Sequence, residues 1–190
     1  MKNLIALCAI LSLCGCVTNK VNSSGGYWND RDINIVCQAL ISDCISSDNV
    51  ASEIRAWGNR KPVVIVGRFR NDSSEQLDTA IISSMMETAI FNSGKLNFVA
   101  GGSTRDELRA EKQDQLSNAS EETAAALGRE VGADYMLTGS VRTVVVREGN
   151  WTRRTYYVTA ELTNIETNER MWMGLNSQIT KEYTRPSNRF

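Results

Sequence analysis

The chain has 190 residues, 42% of them hydrophobic and 23% charged, the proportions of a single globular domain with a real core. Its 21 Lys and Arg nearly balance 22 Asp and Glu, a formal net charge of -1, so no basic excess marks a nucleic-acid partner. There is no histidine, which excludes a Ser-His-Asp triad, a Cys-His dyad, a His-ligated zinc site and an HExxH protease.

Lys2 precedes an apolar run from Leu4 to Leu13 that only Ser12 interrupts. Its length suits the h-region of a signal peptide and falls far short of the ~20 residues of a transmembrane helix. Leu13-Cys14-Gly15-Cys16 follows and resembles a bacterial lipobox, with Cys16 as the expected lipidated residue and the cut after Gly15. Cys14 does not fit that role, because Leu13 is too large for the place before the cut. Val17 stands next, not an aspartate, which by analogy with lipoprotein sorting points to the outer membrane. Two or more acyl chains give stable anchoring where one does not. Val17 to Gly26 is polar and Gly/Ser-rich, a flexible tether that extends about 35 Å at most. The expected organisation is a lipoprotein signal peptide at residues 1–15, the lipidated cysteine and tether at 16–26, and a globular domain at 27–190.

Ile33, Val36, Cys37, Leu40, Ile41, Cys44 and Ile45 recur at helical spacing, placing the two cysteines that follow the tether on one apolar face. Seven residues of helix separate them by ~10.5 Å, too far for a disulfide. A shorter helix, capped by Asp48, is predicted from Asn49 to Trp57. Pro62 opens Val63-Val64-Ile65-Val66, apolar on both faces as in a central strand, and Asn71-Asp72-Ser73-Ser74 ends it. Ser73 with Gln76 predicts a capping box for the next helix. That helix carries a stripe of Leu77, Ile81, Met85 and Ala89 beside Ile82, Met86 and Ile90, and Gly94 closes it. A short strand at Asn97 to Ala100 precedes an exposed helix headed by a Thr104–Glu107 box, and an Ala-rich helix runs from Asn118 or Ser120 to Gly132. Asp134 to Arg147, Trp151 to Ile165 and Arg170 to Ile179 then read as three strands joined by turns. The sum is one α/β domain: a mixed β-sheet with helices mainly on one face and a C-terminal antiparallel β-meander.

Few motifs carry chemistry. Gly101-Gly102-Ser103-Thr104 lacks the spacing of a phosphate loop and reads as a strand-to-helix turn. Asp72, Glu75 and Asp78 lie where open α/β sheets bind ligands, but capping accounts for them equally well. Ser83-Ser84 has no SxxK lysine, and the Glu107/Glu111 and Glu121-Glu122 carboxylates suit first turns and charged faces. No cofactor, metal site or catalytic residue is expected. One cluster stands apart: Arg142, Arg147, Arg153 and Arg154 gather at the first meander turn with Trp151, Tyr156 and Tyr157. Arg and aromatic side chains are the residue types that anchor protein interfaces. A solvated hairpin with its aromatics turned into the core is the competing reading.

Several segments together resemble the LpoB family of outer-membrane lipoproteins, the activators of penicillin-binding proteins. They are Pro62 to Gly67 leading into Arg70-Asn71-Asp72-Ser73-Ser74, Asn92 to Lys95, Gly132 to Gly139, and Asn164 to Glu169 before Trp172. The resemblance spans about Trp28 to Ile179 and implies a small α/β fold related to CsgG and the amino-terminal domain of TolB. It also implies a non-enzymatic role: a periplasm-facing monomer that binds and activates a bifunctional peptidoglycan synthase and so regulates cell-wall synthesis. Arg142, Arg147, Trp151, Arg153, Arg154 and Tyr156 are its expected contact residues. The best-known members carry a long Pro-rich linker after the lipidated cysteine, whereas this chain has Val17 to Gly26. An accessory of a CsgG-like secretion or assembly machine and a small ligand-binding envelope lipoprotein are the alternatives. A pore-forming member would need longer alternating hairpins than these.

Overall fold

The computed structural model describes residues 21–22, 27–99, 101–117 and 132–184. In chain order these form β1 (Val21–Asn22), α1 (Asp30–Ser46), α2 (Asp48–Ala56), β2 (Val63–Asn71), α3 (Thr79–Ser93), β3 (Asn97–Phe98), α4 (Gly102–Ser117), β4 (Tyr135–Glu148), β5 (Trp151–Asn164), β6 (Arg170–Asn176) and β7 (Ile179–Thr184). The strand order is β1-β7-β5-β4-β2-β3, with β6 also paired to β5. β4, β5, β6 and β7 pair antiparallel along β5, while β2 runs parallel to both β3 and β4. The mixed sheet backed by helices and ending in antiparallel strands is the architecture expected from the sequence. The predicted Ala-rich helix at 118–132 lies almost wholly outside the described residues.

One face of the sheet is sealed. The α1 stripe buries Val36, Cys37, Leu40, Ile41 and Cys44, and α3 buries Ile82, Met86, Ala89 and Ile90. They meet Val64, Phe69, Leu137, Val141, Val158 and Leu162 from the strands. Cys37 and Cys44 are both free and buried, and desolvation pushes each thiol up to about 12. Trp172 points to this side, as its place between Met171 and exposed Met173 requires in a strand, and its indole N–H donates to Asp43 Oδ2 at 3.0 Å. The ring lies over Gly174, where a Cβ would collide with it.

The helix starts differ from the sequence expectations for one reason: other side chains hold the local backbone. At α1, Asn29 and Asp32 form a reciprocal capping box that the apolar pattern did not announce. Asp48 is the first residue of α2 instead of its cap, and Ser47 in the cap position turns its hydroxyl back to the Cys44 carbonyl at 2.8 Å. Ser73 does not open α3. It joins a turn around Asn71 Oδ1, which accepts from the Ser73 backbone N–H at 3.0 Å and from its hydroxyl at 2.6 Å, and Asp78 caps the helix by accepting from Ala80 N–H. α4 begins at Gly102, so Thr104 sits within its first turn. Gly94 closes α3 in the left-handed conformation, as expected.

Two strands also depart from expectation. Arg170 to Ile179 is a strand broken at Ser177-Gln178, where Asn176 Oδ1 accepts the Gln178 N–H at 3.1 Å, and β7 then continues along β5 to Thr184. Val21–Asn22, inside the predicted tether, pair in parallel with Ile179–Thr180.

Candidate functional site: the arginine-lined face of the sheet

Strand alternation sorts the expected contact residues onto two faces. Thr152, Arg154, Tyr156, Val158, Ala160 and Leu162 follow one another on the buried side of β5. Arg154 and Tyr156, two of the expected contact residues, therefore point to the buried side of the sheet. Arg154 Nη1 lies 2.5 Å from Glu75 Oε1, and the Tyr156 hydroxyl donates to Glu75 Oε2 at 2.7 Å. Burial first, then the hydrogen bond to Glu75, drives the Tyr156 phenol well above its ordinary range. Trp28 meets the Tyr156 ring edge-on at 4.8 Å, and Tyr27 and Tyr183 flank the Arg154 guanidinium at 5.7 and 5.9 Å. Beside this cluster, Lys181 and Asp32 form a wholly buried ion pair. The Arg and aromatic residues on this side fasten the loop after β2, the segment before α1 and β7 to the sheet. Arg147 stands in register with Thr152 on the same side but is exposed.

The other parity faces solvent. Arg142, Trp151 and Arg153 lie here, with Arg153 stacked over Trp151 at 5.2 Å and bonded to Glu182 at 2.5 Å. Sequence reasoning missed two residues that join them, Arg68 and Arg70. β2 takes three steps from Val66 to Phe69 while β4 takes two from Leu137 to Gly139. That one extra residue keeps Val66 and Phe69 both buried and turns Arg70 outward beside Ser140. Gly139 permits the close approach, since a Cβ there would overlap Phe69 and the Thr159 carbonyl. No periodicity reveals a bulge; the only trace in the sequence is Gly67 between an apolar run and alternating arginines.

Arg68, Arg70 and Arg142 line an open groove of about 510 Å³ with Thr138, Ser140 and Met173. Asp72 is shared by Arg70 at 3.6 Å and Arg142 at 3.5 Å, and Glu161 at the groove's edge is held by Arg170 at 2.8 Å. Three guanidiniums thus face two carboxylates, one of them engaged outside the groove. Val144, Val146, Met173 and Leu175 are exposed apolar side chains on the same face. The Ser140 and Thr159 hydroxyls bond each other at 3.0 Å, and the guanidiniums around them suit the recognition of acidic groups. Among the described residues no cluster of metal-ligating side chains occurs, and no helix is long and apolar enough to cross a membrane.

The chain is thus a helix-backed mixed sheet with an arginine-lined face. The family model for the peptidoglycan-synthase activator LpoB matches residues 32–177, well over half of the chain, and the protein belongs to the LpoB family. Similar solved structures include the LpoB C-terminal domain from Escherichia coli, at 22% identity and a TM-score of 0.49, covering 76% of this chain and 96% of that one. The same domain from Salmonella enterica matches at 19% identity and a TM-score of 0.46, covering 81% and 99%. The solution structure of E. coli LpoB matches at 17% and 0.46, covering 96% and 85%. A search of curated proteins gave no match. The family is one of activators and not of catalysts.

Proposed function

We propose that this protein is an outer-membrane lipoprotein, anchored through Cys16 and facing the periplasm as a monomer, that binds a bifunctional penicillin-binding protein and raises its activity. Family membership supports the class of partner. The observation that carries the docking face is the grouping of Arg68, Arg70 and Arg142 in one groove, two of them paired with Asp72, on the side of the sheet away from α1 and α3, flanked by exposed Met173 and Leu175. An arginine excess at the centre with apolar neighbours is the composition of a protein interface, and it selects a partner surface rich in carboxylates. The anchor is tested by metabolic labelling with a clickable palmitate analogue, which should mark the wild type and leave Cys16→Ser unmarked. The activity is tested by glycan polymerisation with the purified cognate synthase, with and without the mature lipoprotein. A saturable rise in rate is expected, and no rise at saturating protein would contradict the reading.

A further inference from the structure

We infer that the free edge of β4 pairs antiparallel with the same edge of a second copy, forming a two-fold resting dimer that covers Arg142 and dissociates to the monomer proposed above. The dimer stands on the strand geometry alone; its competition with a synthase rests on the activator reading.

β2 is shorter than the strand beside it. Its pairing with β4 ends at Asn71 opposite Val141, while β4 continues along β5 to Glu148 opposite Trp151. From Arg142 to Glu148 one edge of β4 therefore has no neighbouring strand among the described residues. Two observations fix which backbone groups line that edge. The Val141 carbonyl accepts from Asp72 N–H at 2.9 Å, on the β2 side. Register with β5 is unbroken from Val141 to the turn, so alternation carries the same direction to Thr143, Val145 and Arg147. Their N–H and C=O groups face outward together. Proteins commonly blunt such edges with Pro, Lys or a bulge. Here Thr143-Val144-Val145-Val146 is β-branched throughout, and Val144 and Val146 are exposed.

This edge is complementary to itself. Set antiparallel about Val145, it places Arg142 opposite Glu148 of the second copy and Val144 opposite its Val146, and the two-fold repeats both pairs. On the other side of the strand Thr143 meets Arg147. The Thr143 hydroxyl is buried with no hydrogen-bond partner among the described residues, and a guanidinium there supplies a donor. The outward groups of Thr143, Val145 and Arg147 then bond one another across the axis. Neighbouring registers do less. A shift one way lays the second copy on Val141, whose edge β2 already occupies, and a shift the other way parts Arg142 from Glu148.

Arg142 belongs both to this edge and to the groove. Its side chain, 68% exposed beside Asp72, has room for a second carboxylate. A second copy and a carboxylate-bearing partner thus compete for one guanidinium. A contact of one strand per copy is small, of the transient class, which suits a reserve that a partner draws down.

The dimer is tested by sedimentation velocity of the mature lipoprotein in one mild detergent over a range of concentrations. Wild type should pass from monomer to dimer and no further, because a two-fold contact closes. Arg142→Glu sets two acidic side chains opposite each other, and Glu148→Arg two basic ones. Each alone should raise the dissociation constant about tenfold or more. Mixing the two variants restores opposite charges at both pairs and should restore the dimer, a rescue that a shared micelle or another surface would not give. Val145→Pro removes an N–H that β5 does not use and should also leave a monomer. Monomer at every wild-type concentration, larger oligomers, or a mixture no more associated than its components would overturn the dimer. The competition is tested by adding the cognate synthase to the dimer. A complex holding one copy is expected, and a complex holding the pair would overturn the competition. Absence of both complex and stimulation would remove the activator reading and the competition with it, while the rescue still judges the dimer.

Discussion

The two faces of the sheet use the same residue types for opposite purposes. On the helix side Arg154, Tyr156, Trp28 and Glu75 form a closed cluster in which the guanidinium and phenol share one carboxylate. On the open side Arg70 and Arg142 share Asp72 and remain largely in water, their side chains each 68% exposed, with Arg68 lining the same groove. Arg153 and Arg154 are consecutive residues, yet one is half-exposed beside Glu182 and the other nearly enclosed. Composition alone therefore does not separate the two roles; parity and burial together do. Arg154, enclosed with Glu75, is part of the structure, whereas Arg70 and Arg142 stand in solvent.

The sharpest way to break this comparison is to remove each of those neighbours in turn. Arg154→Ala leaves Glu75 buried without its cation and should cost about 3–5 kcal/mol, whereas Arg153→Ala removes an exposed pair worth about 1 kcal/mol or less. Urea denaturation of the two variants checks this, and equal midpoints would erase the distinction between the faces. Trp172→Ala, also on the sealed side, should lose about 3–5 kcal/mol through the cavity it leaves and the Asp43 hydrogen bond it removes. A midpoint within error of wild type would place that ring outside the core.

The open face should respond in binding and not in folding. Charge reversal by Arg70→Glu with Arg142→Glu should weaken binding to the synthase by about 2 kcal/mol or more, nearly thirtyfold, with an unchanged melting curve. Raising ionic strength should slow association of the wild type and have less effect on the reversed variant. Surface plasmon resonance at several salt concentrations measures both effects.

A smaller effect sharpens the sealed side. Burial pushes Cys37, Cys44 and Tyr135 up to about 12, the tyrosine aided next by its bond to Glu53. In the unfolded chain these groups ionise near ~8.5 for thiols and ~10 for the phenol. The folded state therefore holds its protons longer, so their stabilisation is full below about pH 8.5 and declines as pH rises toward 12. Denaturation midpoints should be flat from pH 7 to 8 and fall through pH 9 to 11, with a shallower fall in Cys37→Ala. A midpoint that rises over that interval would contradict the burial of these groups.

Much of this arrangement is legible in the sequence. The stripes of α1 and α3, the apolar β2 and the alternation of β5 each carry a period that only one packing satisfies. Trp172 is legible for the same reason, since Met171 and Met173 cannot share its side. The face of Arg154 was readable too: Val158, Ala160 and Leu162 fix the buried parity, and counting back by twos reaches Arg154 and Tyr156. Grouping the hairpin arginines by proximity in sequence set that count aside. Arg68 and Arg70 were not readable, because the bulge after Val66 shifts parity without altering composition. Nor were the caps, where Asn29 and Asp78 prevailed over equally plausible neighbours through tertiary placement. The pairing of Val21–Asn22 with β7 is invisible to pattern, since two residues carry no period.

The central claim is that the arginine-lined open face docks on the synthase. Its most direct test is glycan polymerisation by the cognate synthase titrated with mature wild-type lipoprotein and with the Arg70→Glu/Arg142→Glu variant, both confirmed folded by thermal melting. The account predicts saturable stimulation by the wild type and, for the variant, a midpoint shifted nearly thirtyfold or more to higher concentration. Stimulation by the variant at the same midpoint and amplitude would contradict it and move the docking site off this face.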